Sequence, residues 1–113
     1  MTLYIATPIN ARPEETFGEK FRGARERVQE LKVRLQADER FRTFDDMTSG
    51  VDVCPLGGFT EAKAMGRCIQ AVLESDAVYM DDGYETSKGC LLEYDTCRRY
   101  KIPVYGDNWE MTW

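Results

Sequence analysis

Short apolar runs alternate with stretches of helical periodicity along this chain, and that alternation restricts the fold more than any other feature. Residues Thr2 to Thr7 form an apolar run containing Tyr4 and Ile5, closed by Pro8, as a buried strand would be. Pro13, Glu14 and Glu15 mark a helix start, because proline loses nothing in a first turn and acids there complement the helix dipole. Phe17, Phe21, Ala24, Val28, Leu31 and Leu35 recur at spacings of four and three, one apolar stripe on a long helix. A second, weaker strand is predicted over Phe41 to Phe44. Asp45 to Phe59, with Gly50, Pro55, Gly57 and Gly58, reads as a long loop. Thr60 then caps a helix whose stripe is Ala62, Met65, Ile69, Val72 and Leu73. Ala77 to Met80 is a third strand, closed by Asp81-Asp82-Gly83. Ser87 caps a third helix reaching about Tyr100, and Pro103-Val104-Tyr105 begins a fourth strand. Strands alternating with helices imply right-handed crossovers and a parallel sheet. The expected fold is three-layer α/β, Rossmann- or flavodoxin-like, with about four to five strands in a single domain over residues 1–113.

Composition narrows the chemistry. Lys and Arg number 15 against 20 Asp and Glu, a net charge of −5, which speaks against a nucleic-acid polymer or an anionic membrane as the main partner. No apolar stretch approaches the roughly 18 residues of a membrane span, and the N-terminal residues lack the basic region and cleavage site of a signal peptide. A cytoplasmic protein is expected. With no histidine, Ser-His and Cys-His pairs and imidazole proton shuttles are excluded. Cys54, Cys68, Cys90 and Cys97 form no C-x-x-C, so zinc-ligand spacing is absent and they read as free, mostly buried thiols. Asp81-Asp82 could hold Mg²⁺, but adjacent acids in a turn are more often solvated. Neither a metal nor a cofactor is expected.

In open parallel α/β sheets a ligand sits beyond the carboxyl ends of the strands. That edge would hold Thr7 to Asn10, the Asp45–Phe59 loop and Asp81 to Ser87. Ser87 with the free amides of Lys88 and Gly89 makes a helix N-terminus suited to an anion such as phosphate. Glu93 lies one turn beyond Gly89 on the same face, and its side chain is expected to lean over the space that Gly89 leaves empty, although spacing alone equally describes a Glu on a solvated helix face.

Tyr4-Ile5-Ala6-Thr7-Pro8 with its long following helix, Ser75-Asp76-Ala77-Val78-Tyr79-Met80, Gly83-Tyr84-Glu85-x-Ser87-x-Gly89-x-x-x-Glu93 and Ile102-Pro103-Val104-Tyr105 together carry a resemblance. The chain resembles the nucleoside 2-deoxyribosyltransferase-like superfamily, in particular its branch of small uncharacterised proteins. The superfamily includes 2-deoxyribosyltransferases and 2-deoxynucleoside 5-monophosphate N-glycosidases. The resemblance implies that Glu93 is the nucleophile that attacks the anomeric carbon, displaces the base and forms a glycosyl-enzyme intermediate. It makes Tyr4 a second member of the catalytic set, and has Tyr4 and the turn Thr7-Pro8-Ile9 line the sugar and base pocket. Gly83 and Tyr84 join the binding set, with Tyr84 stacking on a base. Ser87 falls where the nucleotide hydrolases place a phosphate-binding Ser and the transferases an Asp. A hydroxyl tolerates a phosphate dianion that a carboxylate would repel, which favours a monophosphate, and Gly89 lets that phosphate approach the backbone. The implied partner is a small nucleoside or nucleotide. The implied assembly is a homodimer or higher homo-oligomer, with Trp109 and Trp113 docking on the domain or on a second subunit.

Two positions depart from the superfamily's pattern. Cys68 stands where the active enzymes carry a carboxylic acid that helps protonate the leaving base or orient the nucleophile, and a thiol is a poor general acid. Thr7 stands where relatives have Gly, which tightens the pocket floor. The enzyme reading is N-glycosidic cleavage or base exchange through Glu93. The competing reading is a nucleotide or nucleotide-sugar binding module that has lost its proton donor. A receiver-like signalling domain would share the fold, but Thr7-Pro8 and Tyr105-Gly106 do not supply its paired acids and lysine.

Overall fold

The structure is a computed structural model. It describes residues 1–8, 17–54, 61–106 and 109–111, and for 17–21, 61 and 109–111 the backbone alone. The elements run β1 (Thr2–Ala6), α1 (Phe17–Gln36), β2 (Asp46–Ser49), α2 (Gly50–Val53), α3 (Glu61–Glu74), β3 (Ala77–Met80), α4 (Lys88–Tyr100), β4 (Val104–Gly106) and β5 (Trp109–Met111). Single 3₁₀ turns occupy Glu39–Phe41 and Tyr84–Thr86. The sheet order is β2-β1-β3-β4-β5, parallel through β4, with β5 antiparallel to β4.

Alternation along the strands builds the three layers, because successive side chains point to opposite faces. Leu3, Ile5, Ala77 and Tyr79 face α1, where Leu31, Leu35, Phe41, Phe44 and Met47 complete one core. Tyr4, Ala6, Val78 and Met80 face the other way and pack with Ala71 and Val72 of α3, Cys90 and Cys97 of α4, and Val104. Both faces are covered, so β1 and β3 are buried almost throughout and read as continuous apolar runs. The three-layer α/β expectation holds. No described helix is long and apolar enough to cross a membrane.

The α1 stripe is buried at Ala24, Val28, Leu31 and Leu35, while Pro13 to Glu15 and Thr60 lie outside the described residues. The α4 boundaries also agree with expectation. Ser87 caps the helix, its Oγ accepting a hydrogen bond from the Cys90 amide at 3.3 Å. The helix ends at Lys101, which takes the left-handed conformation (φ 56°).

Four expectations need correction. The second strand is Asp46–Ser49 rather than Phe41–Phe44. Phe41 and Phe44 are spaced for a turn that drives both rings into the α1-side core, and Asp38 caps that turn through the Arg40 amide. The loop predicted over Asp45–Phe59 accordingly contains β2 and α2. On α3 Ala71 and Val72 are buried and Met65, Cys68 and Ile69 half-buried, whereas Ala62 and Leu73 of the expected stripe are exposed. The sheet also gains an antiparallel margin at β5, where Gly106 pairs with Trp109. Trp113 lies outside the described residues.

Candidate functional site

The order β2-β1-β3 sends the chain from β1 to one side and then back past it to the other. In open parallel sheets such a reversal marks the usual ligand position, beyond the carboxyl ends of the strands. Four elements put side chains there. β1 ends in Ala6 and continues into Thr7 and Pro8, both half-buried, and β2 ends in buried Ser49. β3 ends in Met80 and is followed by buried Asp81, and α4 starts after the Ser87 cap.

Glu93, five residues into α4, turns inward. It is 5% exposed, and its carboxyl takes a hydrogen bond from the Tyr4 hydroxyl, while its Oε2 has no hydrogen-bond partner among the described residues. Burial pushes the Glu93 carboxyl up to about 7, against the opposing pull of the Tyr4 hydrogen bond. The Tyr4 phenol is itself raised well above its ordinary range, first by burial and then by the charge of Glu93. Cys68 adjoins both groups, and burial together with the Glu93 charge pushes its thiol up to about 12. Position 68 thus carries a thiol in contact with the same hydroxyl that holds Glu93.

Gly50 closes the cluster from the α2 side. A Cβ there would lie 3.1 Å from Cys68 Sγ and 3.2 Å from the Tyr4 hydroxyl, closer than side chains ordinarily pack. α2 is held in place by Asp52, whose Oδ2 accepts from Lys32 Nζ at 2.9 Å and from Ser49 Oγ at 2.8 Å. The second orphaned oxygen of the region is Thr7 Oγ1, buried without a hydrogen-bond partner among the described residues. Buried polar atoms are nearly always paired, so two such oxygens at one sheet edge are what a polar ligand would satisfy.

The other residues singled out from sequence are distributed as follows. Pro8 packs beside Gly83, whose left-handed φ of 85° turns the chain from β3 toward α4. Ser87 and Gly89 share the α4 N-terminus, but the space left by Gly89 is bordered by Met65 Sδ and Ser87 Oγ rather than by Glu93. The expectation that Glu93 leans over Gly89 therefore gives way to its contact with Tyr4. One face of Tyr84 is stacked on Tyr94, with centroids 5.8 Å apart. Ile9 lies outside the described residues.

Two features were not foreseen. Asp81, expected to be solvated, is 3% exposed and gripped by Arg27 through two hydrogen bonds of 2.9 and 2.8 Å. The available signal was an acid directly after a four-residue buried strand, facing a helix with Arg beside its apolar stripe. The other is Cys54, 3.8 Å from Cys68 across α2 and α3. Among the described residues no three His, Cys, Asp or Glu side chains gather closely enough to hold a metal ion.

No curated protein and no solved structure matches the chain. One protein family matches it over residues 1–105, described as a domain of unknown function (DUF4406).

Proposed function

The chain belongs to that family, and on this premise we propose, from the site itself, that it cleaves or exchanges the N-glycosidic bond of a 2-deoxynucleoside 5-monophosphate through Glu93. The observation that carries this reading is the Glu93 carboxyl: one end held by Tyr4, Oε2 free, buried at the ligand edge of the sheet. A carboxylate stripped of water and fixed by one hydrogen bond is a poised nucleophile for an oxocarbenium-like carbon. Attack of Oε2 on the anomeric carbon breaks the bond to the base and leaves a glycosyl ester. Water or a second base then releases the sugar and restores the carboxylate. The Ser87 hydroxyl and the α4 N-terminus receive the 5-phosphate, and Thr7 Oγ1 is available to the sugar or base. Neither Cys68, at about 12, nor the raised Tyr4 phenol gives up a proton near neutrality. The departing base therefore takes its proton from water, which favours bases that leave readily. In the same reading the family is a branch of the nucleoside 2-deoxyribosyltransferase-like superfamily. The chain then acts in the cytosol as a homodimer or higher homo-oligomer on a small-molecule nucleotide.

The proton-retaining Cys68 is also the observation that favours a second reading, a nucleotide-binding module without turnover. One assay separates them. The protein and its Glu93→Gln variant are incubated with 2-deoxynucleosides and their 5-monophosphates, and free base is followed chromatographically. Release by the parent and not the variant, greatest with monophosphates, is the expected result. Equal release by both overturns the role of Glu93. Saturable nucleotide binding without any released base establishes the binding module instead.

A further inference from the structure

Two thiols meet where α2 and α3 flank the site. Cys54 Sγ and Cys68 Sγ are 3.8 Å apart, and a disulfide requires about 2.05 Å, so a relative movement of roughly 1.8 Å joins them. The two differ in setting. Cys54 is buried at the end of α2 and donates its S–H to the Ala64 carbonyl oxygen at 3.3 Å, which leaves its lone pairs for Cys68. Cys68 is half-buried and is the thiol a small oxidant can reach, whereas Cys90 and Cys97 are sealed in the core at 2% and 0% exposure. Cys68 also contacts the Tyr4 hydroxyl, which holds Glu93.

We propose that Cys54 and Cys68 form a reversible disulfide under peroxide, tying α2 to α3 and drawing Cys68 Sγ away from Tyr4. The steps balance. Cys68 sulfur attacks one peroxide oxygen, the O–O bond breaks, water leaves, and Cys68 becomes a sulfenic acid. Cys54 sulfur then attacks Cys68 sulfur and expels a second water. Two thiols and one hydrogen peroxide give one disulfide and two waters, and two electrons pass from sulfur to peroxide. A disulfide that forms only under oxidant and is reversed by thiols is of the regulatory rather than the structural kind. The thiolate is the attacking form, so the raised Cys68 thiol makes the first step slow at neutral pH and faster as pH rises.

The test uses the full chain in mildly alkaline buffer. It is treated with hydrogen peroxide, unfolded, alkylated and mapped by mass spectrometry without reductant. The expected product links the Cys54 and Cys68 peptides with loss of two hydrogens, is reversed by dithiothreitol, and leaves Cys90 and Cys97 alkylated. In Cys54→Ser the expected product is a dimedone-trapped sulfenic acid on Cys68. The Tyr4 ring-carbon resonance shifts on oxidation of the parent. A link through Cys90 or Cys97, both thiols of the pair still alkylated, Cys68 ending as sulfinic acid in the parent, or an unmoved Tyr4 resonance each overturns the proposal. Any effect of the bond on turnover rests on the function proposed above, but the mapping does not. Base release absent from both redox forms would overturn that function and leave the thiol pair standing.

Discussion

Arg27 holds Asp81 through two parallel hydrogen bonds, Nε to Oδ2 at 2.9 Å and Nη2 to Oδ1 at 2.8 Å, joining the first helix to the carboxyl end of β3. The same carboxylate accepts the Asp82 amide at 2.9 Å, and the Asp81 amide donates to the Ala6 carbonyl. One side chain thereby fixes where the chain leaves β3 on its way to Gly83 and Ser87. The forked geometry suits Arg and would be lost with Lys.

Removing one partner of this pair strands a buried charge. Loss of a fully buried partner costs about 3–5 kcal/mol. Because Arg27 is 36% exposed, solvent screens part of the effect, and Arg27→Ala is expected to lose about 2 kcal/mol in urea denaturation. Adding Asp81→Asn to that variant should recover most of the loss. A double variant no more stable than Arg27→Ala would show that the pair is not the cause.

Stability should fall as pH rises from about 4.5 to about 7 because of Glu93. Its folded-state carboxyl titrates at about 7 against an ordinary 4.5, so between these values the native state holds a proton that the unfolded state has released. The unfolded state binds fewer protons there, and stability declines with pH, by about 3 kcal/mol in all. The chain has no histidine to obscure this window. Denaturation at several pH values should show the decline in the parent and its absence in Glu93→Gln.

Tyr4→Phe isolates the hydrogen bond that favours the charged carboxylate. Without it the Glu93 midpoint should move further up from about 7, read directly by carbon NMR of the labelled carboxyl. Any pH–rate profile should move in the same direction, with activity lost at neutrality and regained in alkali. A midpoint that falls would mean that Tyr4 does not stabilise the anion.

Two glycines of the site should respond oppositely to alanine. At Gly50 a methyl group meets Cys68 Sγ and the Tyr4 hydroxyl at 3.1 and 3.2 Å, and Gly50→Ala is expected to cost about 1 kcal/mol. At Gly89 the nearest neighbours are 3.5 and 4.0 Å away, so Gly89→Ala should gain about 0.5 kcal/mol of helix stability. If phosphate approaches the α4 N-terminus, that stabilised variant should nevertheless show a raised KM for monophosphates and not for nucleosides. Thermal unfolding and steady-state kinetics check the two effects separately.

The legible parts of this molecule were those where local chemistry and tertiary packing agree. β1 and β3 are apolar because both faces are covered, and the Ser87 cap and the extent of α4 follow from spacing within one helix. β2 was hidden because it buries Met47 and Ser49 while exposing Asp46, so it carries little apolar signal. Phe41 and Phe44 carry that signal instead, yet serve a turn beneath α1. The inward turn of Glu93 to Tyr4 and the grip of Arg27 on Asp81 join residues 89 and 54 positions apart. No local pattern records such contacts. The partnership of Cys54 with Cys68 depends likewise on how α2 folds back against α3.

The two margins of the sheet bear on how the protein behaves when crowded. A strand at a margin offers unpaired amides and carbonyls on which another chain can be laid down, and the hazard grows with length and apolar character. Here one margin is the four-residue β2, with exposed Asp46, and the other is the three-residue antiparallel β5, which covers the parallel β4. The apolar strands β1 and β3 are confined to the interior of the sheet, flanked on both sides. The sequences best suited to templated stacking are therefore out of reach while the fold persists, and stacking through β1 or β3 has to wait for unfolding.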